Sequence, residues 1–193
     1  NPEKNDAALA ILEATGRRVA LATVDVADES AVVAGVADAI GAMGRLDFVA
    51  ANAGMGKRSE SFDQMDTETW HRIMSVNLDG AFWTLREAAR HMVERTKGGD
   101  RGGSLVVTSS TSAIHGAPAN QGYAASKGAV IPLIRGIAVE YGRYDIRANA
   151  ILPGWIATES QTEAEAQAGL ATPLGRSGTA DEVAACALFL ASD

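Results

Sequence analysis

Cysteine is all but missing from this sequence. The single Cys186 cannot form a disulfide within the 193 residues, and a cytoplasmic location is the simplest expectation for such a chain. The thiol lies in an apolar helical stretch and is expected to be a small core residue. Histidine is nearly as scarce: His71, His91 and His115 do not cluster, so no metal is expected. His71 and His91 read as solvated positions on a long helix, and His115 as a loop residue facing solvent or substrate. No apolar run approaches the ~18 residues of a membrane span. Basic residues are outnumbered 17 to 24, and the net charge of −7 has the wrong sign for nucleic acid or an anionic membrane as partner. Internal repeats and low-complexity tracts are also lacking.

What is present is an ordinary globular balance, 47% hydrophobic and 21% charged, in a length suited to one domain. Asn1-Pro2-Glu3 opens an amphipathic helix that stops at Gly16. Val19 to Val26 reads as a short buried strand. A helix over 29–43 follows the cap-like Asp28 and ends at Gly44, and a strand covers Leu46 to Ala51. A long helical pattern from Thr67 to Arg95 is interrupted near Asn77 and Gly80, which predicts a local bend or bulge. Its Trp70, Ile73, Met74, Val76 and Phe82 read as core. Strand Ser104–Thr108, a helix over 123–144, strand Ile146–Leu152 and a last helix from Thr179 to Ala191 complete the pattern. Alternating strands and helices predict a parallel sheet with helices on both faces.

Each strand ends in a conspicuous motif: Asp25-Val26, Asn52-Ala53-Gly54, Ser109-Ser110 and Pro153-Gly154. Ligands of open parallel sheets bind beyond the carboxyl ends of the strands, so the four motifs are expected to line one crevice. Tyr123 and Lys127 stand four apart at the start of a helix and share one face. An ammonium beside a phenol favours the phenolate, and a phenol tuned this way can exchange protons near neutrality. Alone, the pair is also what a solvated helix carries. Asp25 can equally cap a turn, Asn77 can be a simple helix breaker, and Pro153-Gly154 can be an ordinary turn.

Taken together, Asn52-Ala53-Gly54, Asn77, Ser110, Tyr123 and Lys127 resemble the short-chain dehydrogenase/reductase family over nearly the whole chain. The first Asn of the family's Asn-Asn-Ala-Gly signature is Ala51 here. The resemblance implies a doubly wound, Rossmann-like α/β/α fold in a single domain, 1–193. It also implies an NAD(P)-dependent oxidoreductase moving hydride between NAD(H) or NADP(H) and a carbonyl or secondary alcohol, such as a 3-oxoacyl, sugar or steroid-like compound. By the same resemblance Tyr123 is the general acid or base, Lys127 tunes it and holds ribose hydroxyls, Ser110 holds the substrate oxygen, and Asn77 supports a proton relay through its main-chain carbonyl. Asp25 and Val26 would contact adenine. Asn52, Ala53, Gly54, Pro153, Gly154, Ile156 and Thr158 would complete the cofactor site, and residues 159–170 would be a substrate lid.

A glycine-rich phosphate loop is expected ahead of Asn1 and a closing strand after Asp193, which would leave 1–193 incomplete at both ends. The family also implies a homotetramer or homodimer through the two long helices, with Phe82, Leu85, Ile131 and Ile134 exposed at the contact. A non-catalytic nucleotide-binding member and a sugar-nucleotide epimerase relative are the alternatives.

Overall fold

Short apolar runs bounded by glycine or polar residues become the three neighbouring strands of the computed structural model, which describes residues 2–159 and 161–192. β1 (Phe48–Ala51), β2 (Gly103–Thr108) and β3 (Ile146–Ile151) run parallel in that order. Ala51 lies opposite Val107, and Thr108 opposite Ile151. Parallel neighbours need crossovers. α3 (Thr67–Met74) and α4 (Gly80–Lys97) supply the first, and α5 (Gln121–Tyr141) the second.

Strand side chains alternate between faces. Leu105 and Val107 point into a core built with Leu85, Ala88 and Met92 of α4 and Val130 and Ile134 of α5. On the opposite face the Ser104 hydroxyl donates to the Leu190 carbonyl of α7 (Ala180–Ala191). Helices therefore cover both faces of a parallel sheet, the three-layer α/β/α arrangement the strand and helix alternation predicts. Beside it, β4 (Ile156–Ala157) pairs in parallel with β5 (Gly178–Thr179), with α6 (Glu163–Leu170) between them in sequence. Towards the start lie α1 (Pro2–Glu13) and α2 (Glu29–Met43), the latter capped by Asp28. The cap assigned to Asn1 falls outside the described residues.

The predicted break in the long helix is a π turn, Ser75–Asp79, in which the Gly80 N–H reaches back five residues to the Ser75 carbonyl. Gly80 permits a close approach: a Cβ there would stand 2.7 Å from the Val26 carbonyl oxygen.

Several expectations are corrected. Val19 to Val26 forms no strand among the described residues and is mostly exposed, since no described strand lies beside it to accept its ladder. Leu85 and Ile134 are core residues, not contact residues, because the helix faces carrying them pack on β2. Trp70 and Phe82 are exposed, with the Arg86 guanidinium 5.3 Å from the Phe82 ring centre. Cys186 is exposed as well, since α7 turns Val183, Ala187 and Leu190 towards the sheet and Cys186, Leu188 and Phe189 away from it.

His91 is partly buried rather than solvated, and its Nε2 accepts the Leu46 N–H at 3.3 Å. That bond requires a neutral ring. Burial first, then the Arg95 charge, holds the imidazole below its ordinary pKa, against a smaller opposing pull from Asp47. The unfolded chain therefore takes up the proton more readily, so the stability His91 contributes is complete above about pH 6.5 and is lost as pH falls through the lower folded value. Urea midpoints measured from pH 7.5 to 5.0 are expected to fall more steeply for the wild type than for His91→Gln, and parallel slopes would contradict this account.

Candidate active site

Strand β2 delivers its last carbonyl to a buried ammonium. Lys127, on the second turn of α5 and only 4% exposed, donates from Nζ to the Thr108 carbonyl at 2.7 Å. The Ser109 hydroxyl returns the contact, donating to the Lys127 carbonyl at 2.6 Å. Helix and strand end are thus latched in both directions. Burial lowers the Lys127 pKa from its ordinary value. One turn earlier on the same face stands Tyr123, its ring centre 5.9 Å from that ammonium.

Asn77 lies at the centre of the π turn and is 1% exposed. Its side-chain amide accepts the Met55 N–H at 2.7 Å and donates to the Met55 carbonyl at 2.8 Å. It donates again to the Ser126 hydroxyl at 2.9 Å, and that hydroxyl donates to the Tyr123 carbonyl at 2.8 Å. One amide therefore joins the loop after β1 to the first turn of α5. Gly54 fits under this junction because it has no side chain: a Cβ would lie 3.0 Å from Lys127 Nζ and 3.4 Å from Asn77 Oδ1. The loop begins at Asn52, whose Oδ1 accepts from the Thr108 hydroxyl at 2.8 Å.

Ser110, Tyr123, Pro153, Gly154, Ile156 and Thr158 line one cleft of about 540 Å³ at the carboxyl ends of the strands. The Ser110 hydroxyl accepts the Ser112 N–H at 3.1 Å, and the Thr111 N–H donates to the Pro153 carbonyl at 3.0 Å. Asn77 and Lys127 sit behind the wall, and Asn52, Ala53 and Gly54 lie outside the lining. Asp25 and Val26 are also apart from this cleft. The Asp25 carboxylate accepts the Ala27 N–H at 3.0 Å and faces Arg72 at 3.6 Å, so its turn-capping role is realised here.

Four residues important to this geometry carry little sequence signal. Ser126 is legible only as a small polar residue three positions after Tyr123, hence on its face. Arg58, Asn120 and Gln161 reach the cleft from loops, where no periodicity marks a direction.

A family model described as Enoyl-(Acyl carrier protein) reductase matches residues 1–193. Gluconate 5-dehydrogenase of Gluconobacter oxydans is 34% identical over 200 residues, covering 100% of this chain and 75% of that protein. Among solved structures, a gluconate 5-dehydrogenase from Burkholderia cenocepacia in complex with NADP and tartrate superposes with a TM-score of 0.88 at 33% identity, covering 100% of this chain and 75% of that one. An NAD+-bound xylitol dehydrogenase superposes with a TM-score of 0.90 at 26% identity, covering 100% and 80%.

Asn77→Ala removes three hydrogen bonds at a buried position and leaves both Met55 backbone groups without their partner. A loss of about 2–4 kcal/mol is expected, read as a lower urea midpoint with an unchanged slope. A change below about 0.5 kcal/mol, the range of ordinary surface substitutions, would show that the clamp is not what holds the loop.

Proposed function

The chain belongs to the short-chain dehydrogenase/reductase family, and from that premise we propose how its residues divide the work of an NAD(P)-dependent oxidoreductase acting on a carbonyl or secondary alcohol. The observation that supports the division best is the shared cleft of Ser110 and Tyr123, with the Lys127 ammonium buried one turn below the Tyr123 ring.

The cleft fits a nicotinamide end. It opens at the carboxyl ends of the strands, is walled by Pro153, Gly154 and Ile156, and is approached by Gly56, where a Cβ would stand 3.5 Å from the Tyr123 ring. NAD(H) or NADP(H) supplies the hydride donor or acceptor when bound. Pro153, Gly154, Ile156 and Thr158 flank it, and Asn52, Ala53 and Gly54 shape the strand end beside it. Asp25, with its carboxylate 58% exposed, and Val26 are assigned to the adenine end.

In reduction the Tyr123 hydroxyl gives its proton to the substrate oxygen as hydride reaches the carbon that bears it; in oxidation the phenolate takes the proton of the alcohol oxygen as hydride leaves that carbon. Ser110 donates to that oxygen and stabilises its partial charge. Lys127 sets the charge around Tyr123, and Asn77 and the π turn form the relay behind it. Small polyhydroxylated compounds are the substrate class favoured by the relatives.

We read 1–193 as one NAD(P)-binding domain in a cytoplasmic homotetramer or homodimer joined through α4 and α5. Phe82 on α4 and Val139 on α5 are exposed apolar residues suited to that contact. Among the described residues no helix is long and apolar enough to cross a membrane.

Tyr123→Phe keeps the ring and removes the proton. It is expected to lower kcat by about 10²–10⁴-fold in a panel of ketones and secondary alcohols followed by nicotinamide absorbance, with circular dichroism unchanged; undiminished turnover would place the acid elsewhere, and no turnover by the wild type would favour a binding protein. Light scattering at micromolar concentration is expected to report a dimer or tetramer, and a monomer would remove the proposed contact.

A further inference from the structure

The cleft is unsuited to a long apolar chain. Hydroxyl and amide side chains dominate its lining, among them Ser110, Ser112, Asn120 and Gln161, and its apolar members are few. One residue stands out by charge. Among the described residues lining it Arg58 is the one Lys or Arg, and it makes no ion pair with any described residue; its one hydrogen bond to a described residue is a long 3.4 Å contact to the Pro118 carbonyl. Elsewhere Arg45, Arg86, Arg90, Arg95 and Arg176 face carboxylates within 4 Å, while Arg135 and Arg143, which lie away from the cleft, resemble Arg58 in making no ion pair with any described residue. Among the described residues lining the cleft the one carboxylate is Glu165, and its Oε2 accepts from the N–H and hydroxyl of Thr162 in the cap of α6. A guanidinium left unpaired in a chain of net charge −7 is a ready receptor for a carboxylate.

Beside Arg58 lies an unpaired acceptor. The Asn120 amide oxygen is shut off from solvent without a hydrogen-bond partner, and the side chain makes no bond to cap α5. That oxygen lies 3.9 Å from the position of a Cβ on Gly56, which itself would touch the Tyr123 ring. The Asn120 amide and the Tyr123 ring therefore share one patch of wall. Between Pro118 and Asn120, Ala119 holds a positive φ of 58°, and its carbonyl accepts the Ser59 N–H at 2.9 Å. Strained backbone and unsatisfied polar atoms next to a cleft mark places where ligand completes the structure.

We propose that Arg58 and Asn120 form a substrate subsite that selects small hydroxy- or oxo-carboxylates: the guanidinium takes the carboxylate, and the Asn120 amide turns to accept a neighbouring hydroxyl. The far end of the molecule then presents its reacting carbon to Ser110 and Tyr123. This rests on the hydride-transfer reading above and narrows its substrate class.

The test compares four- to six-carbon aldonates with the matching neutral alditols, using NAD+ and NADP+. The wild type is expected to favour the aldonates in kcat/KM, and Arg58→Met to cut the aldonate-to-alditol ratio about tenfold, the effect of one charge-assisted hydrogen bond. Arg58→Lys should keep part of it. Asn120→Ala is expected to lower kcat/KM for both compound types together. An equal ratio in wild type and Arg58→Met, or turnover confined to apolar ketones, overturns the subsite and leaves the oxidoreductase reading standing. If nothing is turned over, that reading falls, and calorimetric aldonate binding to wild type and Arg58→Met decides the subsite separately.

Discussion

A buried ammonium must be given acceptors, and the placement of Lys127 imposes that demand on three segments at once. Desolvation favours its neutral form, and the contact that opposes it is the Thr108 carbonyl at the last residue of β2. The end of the strand is consequently held as an acceptor for a side chain from α5. Ser109, next in sequence, turns its hydroxyl to the Lys127 main chain, and Ser110 is carried into the cleft. Gly54 completes the enclosure, because any side chain there would crowd the ammonium. The order Thr108, Ser109, Ser110 thus reads as ligand, latch and cleft wall.

The π turn answers a second demand. A regular helix over 67–97 would pair every interior carbonyl within itself; the turn at Ser75–Asp79 breaks that register and inserts Asn77 where its amide meets both backbone groups of Met55. π turns are uncommon and gather at functional sites because they exchange regular pairing for placement. Here the exchange is local. Ile73 on the preceding turn and Val76 within the π turn remain buried, and Gly80 lets the resumed helix press against Val26.

Much of this was legible in the sequence where the signal is local. Asn77 and Gly80 in a helical run announce a break, Tyr123 and Lys127 at i and i+4 announce a shared face, and glycine or polar residues after apolar runs announce strand ends. The misreadings have a common physical source, which is partnership across the fold. Val19 to Val26 has the composition of a strand, yet a strand exists only with a neighbour to pair. Cys186 sits in an apolar helix, but which side of α7 meets the sheet follows from the packing of Val183, Ala187 and Leu190. Leu85 and Ile134 read as outward-facing for the same reason. His91 is read as solvated until Leu46, 45 residues earlier, is seen to lie against it. In the cleft, Ser126 follows from helical spacing, whereas Arg58 and Asn120 have no periodicity to orient them.

The distribution of charge separates what holds the fold from what meets ligand. Asp47, Arg95 and Asp100 interlock at the amino-terminal side of β2, and Glu87 is bracketed by Arg86 and Arg90 on α4. Partners exposed to water contribute little each. At the opposite end of the strands the ammonium of Lys127 is satisfied by a carbonyl and not by a carboxylate. A carboxylate in that place would compete with the phenol for the influence of the cation, since an anion close to Lys127 would cancel the field it projects on the Tyr123 ring. Pairing the lysine with a neutral acceptor leaves its charge uncancelled by a neighbouring anion. Arg58 in the cleft lining likewise makes no ion pair with any described residue, so one cation lines the cleft and a second, Lys127, lies buried behind its wall beside the Tyr123 ring.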